Sequence, residues 1–494
     1  MRSVPKWYAK KGIIKMKEYL RKTKIVGTIG PSSENILRDL FDAGLNVCRI
    51  NYSHGSYDEQ EWKTNEIIKI REERDLPIPM ILDMKGPEIR TGMLYTGKNE
   101  KIKIQDGQKF TLVCGEDIEG NEERVSVSYK ELYKDVKNGT KILIDDGAIE
   151  LRVDEVVGTD IVCSVVHGNP LGSRKTMNLP GTIIRLPALA EKDIADLKTA
   201  CEHEYDYVAI SFARNLDDIA QVRKVLDENG GKDIKIITKV ENVEGLSNMD
   251  DIARVADAQM IARGDMATET DFTEPPIVQK KFIKLCNQSA KPAITATQML
   301  ESMMSNPLPT RAEASDVANA VYDRTSAVML SGECAMGKYP LECVKAMDKI
   351  ARRVEPEIDY WKRFDEKFKI ELKDLEDNIA YSACTLAKTT GADAIVCYTN
   401  TGNSARRISG MGAGCPILAI TDNKRTFRQL GLAWNVYPVY IESKATIDET
   451  VEAGIQKLKA KGILEDGDKI ILSGGHDFVN GVKSSKMIGG YVEI

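Results

Sequence analysis

Eight times along this chain a short apolar run of β-type residues ends abruptly in polar or charged ones. The segments are TKIVGTIG (23–30), NVCRINYSHG (46–55), PMILDMKG (79–86), YVAISFAR (207–214), KIITKVEN (235–242), AQMIARGD (258–265), PAITATQM (292–299) and AVMLSGE (327–333). Helical patterns separate most of them. SSENILRDLFDAG, for instance, offers a serine cap, apolar spacing at Ile36, Leu37, Leu40 and Phe41, and a stop at Gly44. Strand-helix units repeated in this way predict a (β/α)8 TIM barrel of the α/β class, whose active site is built on the rim at the C-terminal ends of the strands.

The charges at 235–265 are the densest of these endings. Side chains alternate faces along a strand, so Lys239 and Glu241 are expected on one face, and Arg263 and Asp265 likewise on one face of the next segment. Two carboxylates and two cations should then converge at neighbouring strand ends. A lysine and a glutamate two apart are often only a solvated ion pair. Recurrence of the same ending around a barrel favours a site.

Composition narrows the classes. A chain of 494 residues exceeds a single core and predicts two to four domains. A net charge of -6 speaks against a nucleic-acid surface, and 42% hydrophobic with 29% charged residues is ordinary for a globular enzyme. No apolar run reaches the length of a membrane span. The ten cysteines show no CxxC pairing or metal-ligand spacing, and Cys48, Cys163 and Cys397 fall inside apolar strand patterns, which predicts reduced core thiols in a cytoplasmic protein. Residues 1–21 read as a basic leader without the apolar core and cleavage site of a secretory signal, with Met16 a usable start.

The period changes after LDMKGPEIRTG. Short alternating strands punctuated by DG, NG and GT turns fill residues 88–186, predicting an inserted all-β lid domain between the two parts of the barrel, 22–87 and 187–356. Both ends of the insert lie beside the rim, so it is placed to close over a site. Helix and strand alternate again over 370–494, predicting a C-terminal α/β domain with a doubly wound sheet.

KTKIVGTIGPSS, RINYSHG, LDMKGPEIRTG, NLPG, ITKVENVEGL, ARGD and ATQMLESMMSNPLPTRAEASDVANAV together resemble the strand-end motifs of the pyruvate kinase family, in that family's order. The resemblance implies phosphoryl transfer between phosphoenolpyruvate and ADP, giving pyruvate and ATP, in a cytoplasmic homotetramer. That chemistry suits the residues, because the transition state is rich in negative charge and catalysis rests on positioning by metals and cations. By resemblance, Glu241 and Asp265 hold Mg2+ (or Mn2+) and Lys239 lies over the transferring phosphoryl group. Arg49 and, behind it, Arg90 serve the phosphate. Thr297 orients the water that protonates the methylene carbon, and backbone N–H groups of Gly264 and Asp265 hold the substrate carboxylate. The nucleotide falls to Asn51, His54, Arg90 and Lys175, with Asp146 and Arg174 as further candidates. A bland reading stands beside several of these: Thr297 as a helix cap, His54 as a structural histidine, the lid residues as solvated surface.

Potassium is implied too. The family carries either a glutamate with K+ nearby or a lysine in its place, and this chain has Glu88 in KGPEIR. Asn51, Ser53, Asp83 and the backbone carbonyl of Met84 are the expected K+ ligands, and without the ion Glu88 would face the phosphates uncompensated. An effector site for a phosphorylated ligand is expected at Thr399, Thr401, Gly402, Asn403 and Ser404, at the N-terminus of a helix. Three departures from the family pattern stand out: Met266–Asp271 after ARGD, where the family has Leu-Gly-Val-Glu-Ile-Pro; Met84 for a threonine; and the ending SGGHDFVNGVKSSKM. An alanine at 267 would be strained if that position needs a positive φ. The competing readings are another magnesium-dependent barrel enzyme of pyruvate or phosphoenolpyruvate, and a non-catalytic ligand sensor.

Overall fold

The computed structural model describes residues 20–97, 100–366, 374–479, 482–486 and 491–493. The expected leader, apart from Leu20 and Arg21, lies outside the described residues. Each of the eight apolar segments forms a strand: Lys24–Thr28, Val47–Asn51, Met80–Asp83, Tyr207–Ile210, Lys235–Lys239, Ala258–Ala262, Ala293–Ala296 and Ala327–Leu330. They pair in parallel in chain order, and the first pairs with the last to close the barrel. Alternation along each strand serves two cores. Val26, Ile81, Tyr207, Ile237, Met260 and Met329 fill the barrel interior. Their neighbours Ile25, Leu82, Val208, Ile236, Ile261 and Val328 pack outward against the helices.

The first helical segment differs from expectation at its start. Ser33 does not cap it; its hydroxyl turns back to accept from Gly30 N at 3.0 Å, and a 3-10 turn over Glu34–Ile36 leads into the helix Leu37–Ala43. Gly44 ends the helix as expected, at φ 115, a conformation that residues with a Cβ avoid.

The insert is a seven-stranded sheet with a separate two-stranded ribbon, closed around Phe110, Leu112, Ile142, Leu151 and Cys163. Hydrogen bonds from both sides fasten it to the rim. Arg214 donates to Ile184 O at 3.0 Å and Leu186 O at 2.8 Å, and Asn178 Nδ2 donates to Glu269 Oε1 at 2.7 Å.

In the C-terminal domain Val436–Tyr440, Ile417–Thr421, Ala394–Tyr398 and Lys469–Val479 lie parallel in that spatial order. The atypical ending pairs antiparallel with this sheet, Val482–Lys486 running back along Lys469–Val479. The domain is clamped under the barrel by Arg428 Nε on the buried Asp206 Oδ1 (2.8 Å) and by Tyr207 OH on Gln429 O (2.9 Å). Truncating Arg428 would leave the Asp206 carboxylate to Arg71, 3.5 Å away, and to the Met80 amide at 3.1 Å, so the loss should be smaller than the about 3–5 kcal/mol of a buried charge left uncompensated. None of the ten cysteines is joined in a disulfide, and nine of them are buried. Among the described residues no helix is long and apolar enough to cross a membrane.

Candidate active site

The ends of the second, third and fifth barrel strands meet in one charged cluster. Asp83, 1% exposed, is the hub. Its Oδ2 accepts from Arg49 Nε at 2.6 Å, and its Oδ1 lies 3.2 Å from Lys239 Nζ, which is 3.5 Å from Glu241 Oε1. Strand register brings this about: Asn51 lies beside Asp83, and Arg49 beside Ile81. Arg49 also donates to Thr28 Oγ1 at 2.9 Å.

Burial would discharge these groups if they stood alone, and their mutual contacts decide which stay charged. For Lys239 burial pulls the ammonium down, but Asp83 and Glu241 outweigh it and raise its pKa, so the lysine stays a cation. For Asp83 burial pushes up, and the Arg49 and Lys239 charges bring the net shift down. Glu241 is different. Complete burial pushes its carboxyl up to about 8, Lys239 opposes, and the nearby Asp265 adds to the rise. One oxygen, Oε2, accepts from the backbone N–H of Phe212 at 2.7 Å. The other, Oε1, is buried without a hydrogen-bond partner.

That orphaned oxygen, with the Asp265 carboxylate, fits a hard divalent cation, which takes oxygen ligands and relieves a buried negative charge. No group of three or more His, Cys, Asp or Glu among the described residues forms a metal cage. Two carboxylates suit Mg2+, which keeps waters and substrate oxygens in its remaining positions. The K+ candidates also lie together, at the ends of the second and third strands. Asn51 Oδ1 accepts from Ser53 N at 3.1 Å, Tyr52 N donates to Asp83 O at 2.9 Å, and the Met84 carbonyl accepts from Ser211 Oγ at 2.8 Å. All the donors are oxygens, as a monovalent cation needs, although the Asp83 carboxylate is already shared by Arg49 and Lys239.

Several expectations are corrected. Arg263 and Asp265 do not share a strand face, because the sixth strand stops at Ala262 and Arg263–Glu269 is a helix. Arg263 points away from the charged cluster, to Asp316 Oδ1 at 2.7 Å. Only one of the two predicted cations therefore reaches the cluster, with Arg49 supplying the second. Glu88 is not uncompensated: Arg90 grips both its oxygens at 2.8 and 2.9 Å, and Lys85 lies 3.4 Å away. Ala267 carries no positive-φ strain, since it sits inside that helix and is absent from the left-handed residues.

Thr297 does not cap the 3-10 turn that follows it, Glu301–Met304, but meets the first turn of the helix Arg263–Glu269. Its hydroxyl accepts from Gly264 N at 2.9 Å, so that amide is taken and is not free for a substrate carboxylate. Thr297 has φ 65 and Gln298 φ 52. Side chains with a Cβ resist this region, a β-branched one most of all, at a cost of about 1–3 kcal/mol each. Phe212, which holds Glu241, is also left-handed at φ 54.

The nucleotide candidates divide between the end of the second barrel strand, with Asn51 and His54, and the lid, with Arg90 and Lys175. His54 is exposed. Arg90 donates to Arg174 O at 3.1 Å, Lys175 Nζ pairs with Asp145 at 2.8 Å, and Asp146 accepts from Thr176 at 3.5 Å. A cavity of about 380 Å³ opens between lid and barrel, bordered by Glu88, Asp146, Phe212, Asp265 and the Asn178–Glu269 pair. It is large enough for a small metabolite. Lys239, Glu241 and Thr297 are not in its wall; it adjoins the charged cluster at Asp265 and at Phe212, whose amide holds Glu241.

The C-terminal loop has the expected form. Asn403–Met411 is a helix with Gly402 as its cap at φ 81, and Thr399 Oγ1 accepts from Gly402 N at 3.0 Å. One loop amide is thus already used, and Arg406 reaches back to Thr401 O at 3.2 Å.

Three parts of the site were missed in sequence: the Phe212 amide on Glu241, the outward turn of Arg263, and Asp83 as the shared anion. The first two depend on backbone torsions. Asp83 stood at a strand end like the others, and its alignment with Arg49 and Lys239 could have been sought there.

Comparison with known proteins follows the same outline. A family model described as "Pyruvate kinase, barrel domain" matches residues 20–344, and one described as "Pyruvate kinase, alpha/beta domain" matches 377–486. The chain is 44% identical over 458 residues to a pyruvate kinase of Clostridium acetobutylicum, covering 92% of this chain and 96% of that one. It is 44% identical over 465 residues to one of Clostridium perfringens, with the same coverage of 92% and 96%. A crystal structure of a pyruvate kinase from Cryptosporidium parvum superposes with a TM-score of 0.90 at 35% identity, over 97% of this chain and 98% of that one.

Proposed function

Since this chain belongs to the pyruvate kinase family, we propose that its charged cluster carries the transfer of the phosphoryl group of phosphoenolpyruvate to ADP, giving pyruvate and ATP. The chain is a glycolytic phosphotransferase. The observation that carries the residue assignment is the buried Lys239 cation held between Asp83 and Glu241, whose Oε1 lies 3.5 Å from the ammonium and makes no hydrogen bond. Formation of ATP from phosphoenolpyruvate and ADP by the purified protein, followed by coupled assay, tests the activity; absence of ATP with both cations present would refute it.

In this reading Lys239 and Arg49 face the oxygens of the group in flight, where charge accumulates on neither donor nor acceptor alone. Glu241 and Asp265 would hold Mg2+, which supplies further neutralisation there. Arg90, oriented by Glu88, lies behind Arg49. Thr297 orients the water that delivers a proton to the methylene carbon, and Asp265 N, with Gly264 N once Thr297 yields it, receives the substrate carboxylate. Asn51, His54, Arg90 and Lys175 line the approach of the nucleotide beneath the lid.

Potassium belongs to the same proposal. Arg90 and Lys85 both spend charge on Glu88, so the phosphate end is short of cations, and an ion at Asn51, Ser53, Asp83 and the Met84 carbonyl makes up the difference. Turnover should fall about tenfold or more when Na+ or tetramethylammonium replaces K+ at equal ionic strength. Glu88→Lys should shrink that dependence. Equal rates in the three salts would remove the site.

The effector loop Thr399–Ser404, a cytoplasmic location and a homotetramer complete the proposal, the last with the helix Arg311–Tyr322 at a contact, where small residues allow close approach. Phosphorylated sugars and nucleoside monophosphates should be screened for activation while light scattering records mass. A monomer at micromolar concentration, or no response to any phosphate, would strike out the corresponding part.

A further inference from the structure

Arg263 and Thr297 fasten each other in both directions across the ends of the sixth and seventh strands. The Arg263 fork donates through Nε to Ala296 O at 3.1 Å and through Nη2 to Thr297 O at 2.7 Å. In return, the next amide after Arg263, that of Gly264, donates to Thr297 Oγ1 at 2.9 Å. Successive carbonyls of an extended chain point to opposite sides. Those of Ala296 and Thr297 converge on one guanidinium, and the chain between them has left the extended form, with Thr297 at φ 65 and Gln298 at φ 52.

A β-branched residue does not hold a left-handed backbone unless its surroundings impose it. Here the imposing group is identifiable. Arg263 is itself fixed from behind, Nη1 lying 2.7 Å from Asp316 Oδ1 on the helix Arg311–Tyr322 and 3.5 Å from Gln279 Oε1. Its side chain is 15% exposed and that of Asp316 32%, so the guanidinium is the better shielded of the two. A planar fork with a carboxylate behind it can meet two carbonyls at once; an ammonium cannot.

We propose that Arg263, oriented by Asp316, is a positioning residue for the protonation step: it holds the left-handed turn at Thr297 and thereby aims the threonine hydroxyl. Arg263 touches no reacting atom. Its removal lets the Thr297 backbone relax to negative φ, which re-aims the hydroxyl, and leaves the charged cluster of Lys239, Asp83 and Glu241 as it was. The proposal rests on the role of Thr297 given above.

The test reads the protonation step by itself, as hydrogen–deuterium exchange of the pyruvate methyl group in D2O with Mg2+, K+ and ATP present, and reads the metal site separately by Mn2+ binding. Arg263→Gln should slow exchange about tenfold or more while the Mn2+ Kd moves less than about twofold. Arg263→Lys should recover only part of the loss, and Asp316→Asn should cost about two- to fivefold. Thr297→Ala should slow exchange by itself, and Arg263→Gln added to it should cost less than about twofold more, because the arginine acts through the threonine. Undiminished loss in the alanine background, or normal exchange in Arg263→Gln, overturns the proposal while the Thr297 assignment stands. Normal exchange in Thr297→Ala overturns the assignment itself. If Arg263→Gln does not fold, Asp316→Asn alone and in the alanine background decides by the same comparison.

Discussion

Lys239→Met is expected to lower turnover at saturating substrate by roughly 10²–10³-fold, the loss seen when one preorganised charge aimed at a transition state is removed. Binding of Mn2+ should change much less. Two effects oppose each other there. Removing a cation 3.5 Å from Glu241 lessens repulsion of the metal, but it also removes the charge that holds the carboxyl's pKa down, so protons compete better. The balance shifts with pH, and metal binding by the variant should approach the wild type as pH rises. Asp83 keeps Arg49 as a partner, which protects the fold from an unpaired buried carboxylate. Steady-state kinetics with separate Mn2+ titration checks this. Turnover within about threefold of wild type would show that the ammonium is not used on the group in flight.

Glu241→Gln should weaken Mn2+ or Mg2+ binding by at least the roughly 10–100-fold that loss of a mere supporting partner costs a metal site. The fold supplies a second readout with an opposite sign. The folded Glu241 carboxyl is raised toward about 8 from the ordinary glutamate range, chiefly by burial. A raised carboxyl favours the protonated form, so the metal-free wild type loses stability as pH climbs from the unfolded value, near 4.5, to about 8. Glutamine never charges. Metal-free Glu241→Gln should therefore match the wild type near pH 5 and melt higher than it near pH 8. Divalent cation should reverse the order, raising the wild-type Tm by mass action and leaving the variant's unmoved. A variant that melts lower than the metal-free wild type at pH 8, or that gains as much from Mn2+, would refute Glu241 as a buried ligand awaiting its ion.

The wild type should also release a proton on binding metal between pH 6 and 8, since ligand and proton compete for the same oxygen. Oε1, buried and without a hydrogen bond, is an atom whose burial costs stability in the metal-free protein and becomes useful once a cation binds.

The sequence by itself determined the parts of this protein that depend on local pattern. Apolar runs of four or five residues closed by polar ones marked all eight barrel strands, because burial on two faces selects such runs wherever they occur. A change to two-residue periodicity marked the inserted sheet, and Gly44 marked a helix end, since only a glycine takes φ 115 without strain. Lys239 and Glu241 also came together as alternation required. Tertiary structure decided the rest. Asp83 became the shared anion only because closure of the barrel set the third strand beside the second and put Lys239 within reach from the fifth. Arg263 followed the same strand-end pattern as Lys239, yet it turned outward, because the chain coiled into a helix one residue after Ala262 and Asp316 lay waiting 53 residues on. The left-handed backbones of Thr297 and Phe212 are held against their own preference by partners far away in the chain. A local pattern records which face a residue prefers; which charge it meets there, and what torsion it must accept to do so, depend on contacts formed only when the barrel closes.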